Sequence, residues 1–490
     1  MPRPRIANSM AEAVEGVPDG ATIIVPGFAG AGVPWNLMTA LYHQGAKDLT
    51  FITNSLNSVS ADPEAKALTD FVIDGRVRKV IASFTAATHP SRASVPEQMA
   101  RDGRIEVELV PQGTLAERIR SGGAGVPAFW TPAGVDTMLA EGKEHRDFDG
   151  QTYILEDAIF ADYAFVRAHR ADTAGNLLFR RAARNFNPIS AMASRHALVE
   201  VEQPIVEAGE IDPDQVHLPG IFVETLTQIP ADGFIHVQRA GRPDTVPTAP
   251  EPLVGPAAGE KRRLTRQEMA AVIGQRLQPG WLVNLGIGIP TFASNYVRAE
   301  DDITFTSENG VVGYSRLAGP DEGDPDIVNA GGQQVTLVKG AAFVHHADSF
   351  AVVRSGRLDV TILGAYEASA DGSFANWRLH SASAEGAGFD HLGGIGGAMD
   401  LVARAKQVWL AMEHTTREGG PRLLDACSLP LTGKGCVTLI VTDLGVIAVR
   451  DGRFILEEHA PGHTFEEIVA LTGGPIEASP TLRPVDVWSS

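Results

Sequence analysis

The sequence predicts an α/β protein built from two tandem, homologous α/β domains, and three features carry that prediction. β-branched apolar runs alternate with glycine loops and helical stretches, the same order of features recurs in the second half, and a stretch rich in Pro, Ala and Gly separates the copies. At 490 residues the chain is also too long for one ordinary core.

The first half opens with the turn Pro18-Asp19-Gly20 and the run Ala21-Thr22-Ile23-Ile24-Val25, a pattern suited to a strand buried on both faces. A glycine loop from Pro26 to Pro34 follows, and Pro34 fits the start of a helix over residues 35–43. Residues 49–53 read as a strand ending at Asn54, residues 80–84 and 105–110 as further strands, and residues 114–120 as the opening of a helix. The second half begins again with Gln278-Pro279-Gly280, a strand at 281–285, the loop Gly286-Ile287-Gly288-Ile289-Pro290 and a helix over 291–297. Gly32-Val33-Pro34 matches Gly288-Ile289-Pro290 at an offset of 256, and Thr50-Phe51 matches Thr304-Phe305 at 254, so Asn54 falls opposite Glu308. Asp162 and Gly175 match Asp359 and Gly372 at 197, and Ala191-Met192 matches Ala398-Met399 at 207, so the second half is longer after Gly372. We divide the chain into a first domain at 1–238, a linker at 239–263 and a second domain at 264–490, with the boundary near 250.

A formal charge of −19 argues against non-specific nucleic-acid binding, which needs clustered Lys and Arg, but leaves room for a phosphorylated small molecule. Two cysteines, Cys427 and Cys436, are too few for a disulfide framework and lack metal-ligand spacing. The early arginines are not followed by an apolar signal core, and the apolar run at 21–38 is broken by prolines and glycines. A cytoplasmic protein without membrane contact is expected.

Thr304-Phe305-Thr306-Ser307-Glu308-Asn309-Gly310 is the candidate centre of the chemistry. A β-prone run ends there on a carboxylate followed by a strong turn signal, and ligands gather at strand ends in open α/β sheets. The alternative is a solvated glutamate beside a loop. The glycine loops at 27–32 and 286–288 expose backbone amides, yet neither has dinucleotide-fingerprint spacing, and tight strand–helix turns explain them equally well. Gly393-Gly394-Ile395-Gly396-Gly397-Ala398-Met399-Asp400 either directs amides at an oxyanion or is a flexible loop. His345-His346 offers no metal site, because adjacent side chains diverge.

Taken together, these segments resemble the family I CoA-transferases of the 3-oxoacid type, such as succinyl-CoA:3-ketoacid CoA-transferase, with the two subunits fused. The resemblance runs through Gly27-Phe28, Gly32-Val33-Pro34, the segment from Pro111-Gln112-Gly113 to Arg118, Asn284 to Pro290, Ser307-Glu308-Asn309-Gly310, Gly396 to Val402, and Leu429 to Gly433. It implies two domains of the NagB/RpiA-like type with the active site in the cleft between them. It further implies that Glu308 is the nucleophile, forming an acyl anhydride and then a glutamyl-CoA thioester in a ping-pong cycle. Asn284 and the backbone amides of Gly397 and Ala398 would stabilise oxyanions, and Asn54, Gln112, Gly27, Phe28, Gly286 and Gly288 would line the substrate site. Coenzyme A enters as substrate, with an acyl-CoA and a carboxylic acid as partners and neither a metal nor another cofactor. A homodimer is expected from the commonness of two-fold assemblies. An unperturbed glutamate, pKa about 4.3, is ionised near neutrality.

Departures from the family pattern concern the substrate. Gly332 stands after Asn329-Ala330-Gly331, where relatives often carry a lysine able to meet a second carboxylate, which places a succinyl donor in question. The segment 378–395, with Arg378, His380, Glu385 and His391, is longer than its family counterpart. Either it reshapes the acyl pocket, with Arg378 a replacement cation, or it is an inert surface insertion. An acyl-CoA hydrolase using the same glutamate and a non-catalytic acyl-CoA or metabolite sensor are the competing functions.

Overall fold

The computed structural model describes residues 3–56, 62–85, 95–234, 253–319, 321–379 and 393–488. His380, Glu385, His391 and the boundary near 250 lie outside the described residues. Each half is organised on its own sheet. In the first, eight strands run parallel in the order Arg5–Ala7, Thr225–Gln228, Ser194–Val201, Ala161–Ala168, Thr22–Val25, Leu49–Ser55, Val77–Phe84, Glu106–Leu109. In the second, a ten-stranded sheet has a parallel centre of Thr304–Ser307, Leu282–Leu285, Val360–Gly364, Gln407–Met412 and Val437–Thr442. Val311–Leu317 and Val335–Phe343 extend one side as antiparallel strands, and the antiparallel strands Gly445–Arg450 and Arg453–His459 followed by the parallel Ile476–Pro484 extend the other.

Side-chain alternation explains why the central strands are apolar throughout. Ile23, Val25 and Phe51 belong to one core cluster and Ile24 and Ile52 to another, so successive residues enter opposite faces of the same sheet. Covered on both faces, such a strand cannot show the polar alternation of a half-exposed one.

The internal repeat extends to register. Thr22 pairs with Thr50 and Ile24 with Ile52 in the first sheet, while Leu282 pairs with Thr304 and Asn284 with Thr306 in the second. The matched aspartates do the same local work: Asp162 accepts the Thr22 N–H at 3.0 Å, and Asp359 accepts the Leu282 N–H at 2.8 Å. Each carboxylate therefore takes the donor of the first residue of the strand that leads into a glycine loop.

Several expected elements differ in detail; the strand read at 80–84, for example, begins at Val77. The strand ending at Asn54 continues to Ser55. The helix expected over 291–297 is a 3-10 helix, Ile289–Tyr296, where the Thr291 hydroxyl donates to Gly286 O at 2.9 Å and the Ser294 hydroxyl to Thr291 O at 3.2 Å. Hydroxyl side chains that bond nearby carbonyls compete with a regular α ladder. Among the described residues no helix is long and apolar enough to cross a membrane.

The halves are joined by charge as well as by packing. Arg180 donates to Asp324 at 2.8 Å and to Asp326 at 2.5 Å, and Arg354 donates to Glu117 at 2.9 Å.

Asp359 also holds Lys406 at 2.7 Å, and its side chain is 18% exposed against 46% for Asp162. Asp359→Ala is expected to cost about 1–2 kcal/mol through the stranded Leu282 N–H, and Asp162→Ala less, as read from denaturant melts followed by circular dichroism.

Candidate active site

Strand Thr304–Ser307 stops at Glu308 because the next two residues cannot continue it. Gly310 adopts φ +96°, its N–H donates to Ser307 O at 3.0 Å, and the chain returns as the antiparallel strand Val311–Leu317. A side chain at Gly310 would meet Val344 O at 2.0 Å, so the turn demands glycine twice over. Glu308 is left at the bend, only 8% exposed, and its Oε2 has no hydrogen-bond partner. Burial pushes its pKa up to about 7, while its own backbone N–H and the Asn284 and Ser307 side chains pull the other way. The freely ionised glutamate expected from sequence is thus corrected: the protein interior withholds the water that would stabilise the charge.

Asn284 occupies the strand position that Ile24 holds in the first sheet, where Ile24 is core. Its amide is 1% exposed, accepts the Thr361 hydroxyl at 3.1 Å and donates to Thr306 O at 3.3 Å. The Thr306 carbonyl, which can only accept, thereby fixes which end of the amide is the donor, and the Asn284 amide also reaches the Glu308 carboxyl.

The loop Gly393 to Gly397 comes from the second half but is hydrogen-bonded to the first. Ile395 N donates to Ser83 O at 2.9 Å, Gln112 N donates to Gly396 O at 2.9 Å, and the Thr85 hydroxyl donates to Gly393 O at 2.8 Å. Phe84 packs so closely over the loop that a Cβ would come within 2.7 Å of its ring at Gly394 and within 2.6 Å at Gly396. Helix Ala398–Val402 then begins, and the amides of its first turn have no intrahelical acceptor. A Cβ at Gly397 would lie 3.2 Å from Glu308 Cγ and 3.1 Å from Phe350 Cζ, which measures how tightly the carboxyl abuts this turn.

Asp400, in the same turn, accepts the Gly113 N–H at 2.8 Å and the Thr114 hydroxyl at 3.0 Å across the join. Burial raises its pKa to about 6 against those donors. Gln112, at the start of helix Gln112–Gly123, is 2% exposed and its Nε2 lies 2.7 Å from His346 Nε2. Phe28 faces the same His346 ring at 5.7 Å, and Gly27, at φ +120°, allows the backbone to pass within 2.3 Å of the Val33 side chain measured from an added Cβ.

The remaining sequence candidates are placed less directly. Asn54 is 4% exposed with Oδ1 unpartnered, one residue before Ser55, which pairs with Phe84. Gly286 donates its N–H to Ile362 O at 2.8 Å, so that amide is committed within the protein. Gly288 adopts φ +96° with open space where a side chain would be, beside the exposed Ile287. Arg378 lies over Trp377 and meets the Met138 sulfur at 3.9 Å. Among the described residues, no three His, Cys, Asp or Glu side chains are grouped as metal ligands would be. Cys427 and Cys436 are free, and burial raises their pKa values to about 11 and about 12. Sequence reasoning missed Asp400, Phe350 and His346; only for Asp400, inside the glycine-loop motif, was there a local signal.

The coenzyme A transferase family model matches residues 7–228 and 266–471, one segment in each half. The mitochondrial succinyl-CoA:3-ketoacid coenzyme A transferase 2A of Rattus norvegicus is 37% identical over 494 aligned residues, covering 97% of this chain and 90% of the relative. One subunit of the probable succinyl-CoA:3-ketoacid coenzyme A transferase of Bacillus subtilis is 47% identical over 220 residues, 45% of this chain and 88% of its own, as expected if two subunits are fused here. The fold matches that of an acyl-CoA transferase from Escherichia coli O157:H7, solved as a thioester complex with CoA, with a TM-score of 0.75 and 20% identity, covering 99% of this chain and 96% of that one. With both segments matched and a full-length relative well above the level at which fold and family coincide, the chain belongs to the coenzyme A transferase family and is a CoA-transferase with its two subunit-like halves in one polypeptide.

Proposed function

We propose that Glu308 carries CoA between an acyl-CoA and a free 3-oxo acid by a ping-pong cycle. The observation that supports this most is a buried carboxyl with an unpartnered oxygen, pressed against the Gly397 turn and approached by the Asn284 amide. A Glu308 oxygen attacks the acyl carbonyl carbon, the C–S bond breaks, and CoA leaves as thiolate, giving a mixed anhydride. The thiolate then attacks the glutamyl carbonyl, and the original acid departs as carboxylate. An acceptor carboxylate attacks the resulting glutamyl-CoA, and the same steps reversed deliver CoA to it and restore Glu308. No net proton is consumed.

Each step passes through a tetrahedral oxyanion. Donors fixed beforehand, here the Asn284 amide and the Gly397 and Ala398 N–H groups, act where water is excluded, and each is worth about 3 kcal/mol at the barrier. A raised pKa suits the carrier too: a more basic carboxylate is the better nucleophile, and it remains available because about 7 is close to working pH.

The residues around the cleft favour an acid with one carboxylate. Gly332 adopts φ +75°, and a Cβ there would come within 3.1 Å of Ala29 Cβ, so both backbone and space disfavour a long cationic side chain at that place. Among the described residues, Phe28, Gln112 and Phe350, packed around His346 and Gly397, are uncharged and can take up a 3-oxo group by hydrogen bond and packing but offer no partner to a second carboxylate. The relatives' names pair a 3-ketoacid, the class favoured here, with succinyl-CoA, a donor that carries a second carboxylate.

Intact-protein mass spectrometry after incubation with acetoacetyl-CoA should show CoA added to the wild-type chain and none to Glu308→Gln; no adduct on wild type with any short acyl-CoA would sink the mechanism. Adduct formation should rise with pH up to about 7 and level above it, because below the raised pKa the carboxyl is protonated and cannot attack. Gly397→Ala should leave the fold intact and slow adduct formation by roughly 10–100-fold, since its methyl displaces Glu308 from the donors, as read from quenched time courses.

A further inference from the structure

His346 was given no role by sequence, yet it sits at the join beside the cleft. Its ring is fully buried, stacks on Phe186 at 3.9 Å, and is flanked by Phe28 and Phe350, each at 5.7 Å. Its backbone N–H donates to Asn185 O at 3.0 Å, so the first half holds the residue from the second. Nε2 lies 2.7 Å from the Gln112 side-chain amide, and Nδ1 has no partner. Gln112 in turn holds the oxyanion loop through Gly396 O, one residue before the turn that touches Glu308.

Two arrangements satisfy the short contact, because the oxygen and nitrogen of an amide are interchangeable by a half-turn. If Gln112 donates, the imidazole proton is on Nδ1, and a buried N–H is stranded inside an aromatic enclosure. If His346 donates from Nε2 to the Gln112 carbonyl oxygen, only an acceptor nitrogen is left bare. Buried orphan N–H groups are the rarer and costlier of the two. The second arrangement also puts the Gln112 NH2 on the side away from His346, free to meet an arriving carboxylate or carbonyl oxygen, which is an acceptor and needs a donor.

We infer that His346, as a neutral Nε2–H tautomer, is a positioning residue that clamps the Gln112 carbonyl and thereby presents the Gln112 NH2 to the acyl group. This rests on the reading of Glu308 as CoA carrier. Burial keeps the ring uncharged, driving its pKa well below the ordinary histidine value, with His345 adding to the effect. An uncharged clamp orients the amide without adding a cation to the cleft.

The test uses the full-length enzyme and acetoacetyl-CoA. In His346→Leu the concentration of acetoacetyl-CoA that half-saturates adduct formation should rise about tenfold, the loss of one hydrogen bond to a polar substrate group, with the limiting rate changed less than about twofold. His346→Gln, which can still donate to the Gln112 carbonyl, should recover most of that loss. In a Gln112→Leu background, His346→Leu should add nothing further. An unchanged half-saturating concentration in His346→Leu, equal impairment of the Leu and Gln variants, or additivity with Gln112→Leu would each overturn the inference. Should His346→Leu fail to fold, 15N NMR of histidine-labelled enzyme, assigned with His346→Gln, decides: a proton on Nε2 is expected, and one on Nδ1 overturns it. Failure of wild type to form the adduct rejects the Glu308 mechanism instead, whereas a normal wild-type adduct with an indifferent His346 rejects only the clamp.

Discussion

Everything at the site depends on one seam: the glycine loop of the second half is hydrogen-bonded to the end of a strand in the first. Ser83, Thr85 and Gln112 supply the partners, and Phe84 covers the loop closely enough that glycine is obligatory at 394 and 396. Those bonds fix where the Gly397 and Ala398 amides point. Asp400, reaching back to Gly113 and Thr114, and Arg354, reaching to Glu117, close the same seam from the other side. The loop that abuts Glu308 is thus held by partners from the other half.

Burying Glu308 at this seam has a thermodynamic consequence. Its pKa is raised from 4.5 to about 7, so the folded chain keeps that proton to higher pH than the unfolded chain does. Between those values the folded state binds more protons, and stability contributed by this group falls as pH rises. Ionising this carboxyl is therefore destabilising, with the Asn284 and Ser307 groups offsetting only part of the cost. Burial, with the Glu308 charge adding to it, drives the Tyr314 phenol well above its ordinary value.

The duplication is symmetrical in framework and asymmetrical in chemistry. Both halves use an aspartate to hold the first N–H of the strand before a glycine loop, Asp162 and Asp359, and both pair that strand with its neighbour in the same register. At matching places, however, Ile24 is core where Asn284 is a buried amide, and Asn54 continues a strand where Glu308 turns one. A polar residue at a position that the other copy fills with an aliphatic one is a signal that sequence comparison within a single chain can detect.

The α/β class, the doubled architecture and the glycine at each sharp turn were legible in the order of residues, because apolar alternation, turn chemistry and backbone freedom are local properties that short segments carry wherever they lie. The acidity of Glu308, the commitment of the Gly286 amide to Ile362, the 3-10 form of Ile289–Tyr296 and the partnership of His346 with Gln112 were decided only in three dimensions. Each depends on which groups distant in sequence are brought within about 3 Å, the range over which a hydrogen bond is made or a water molecule is displaced.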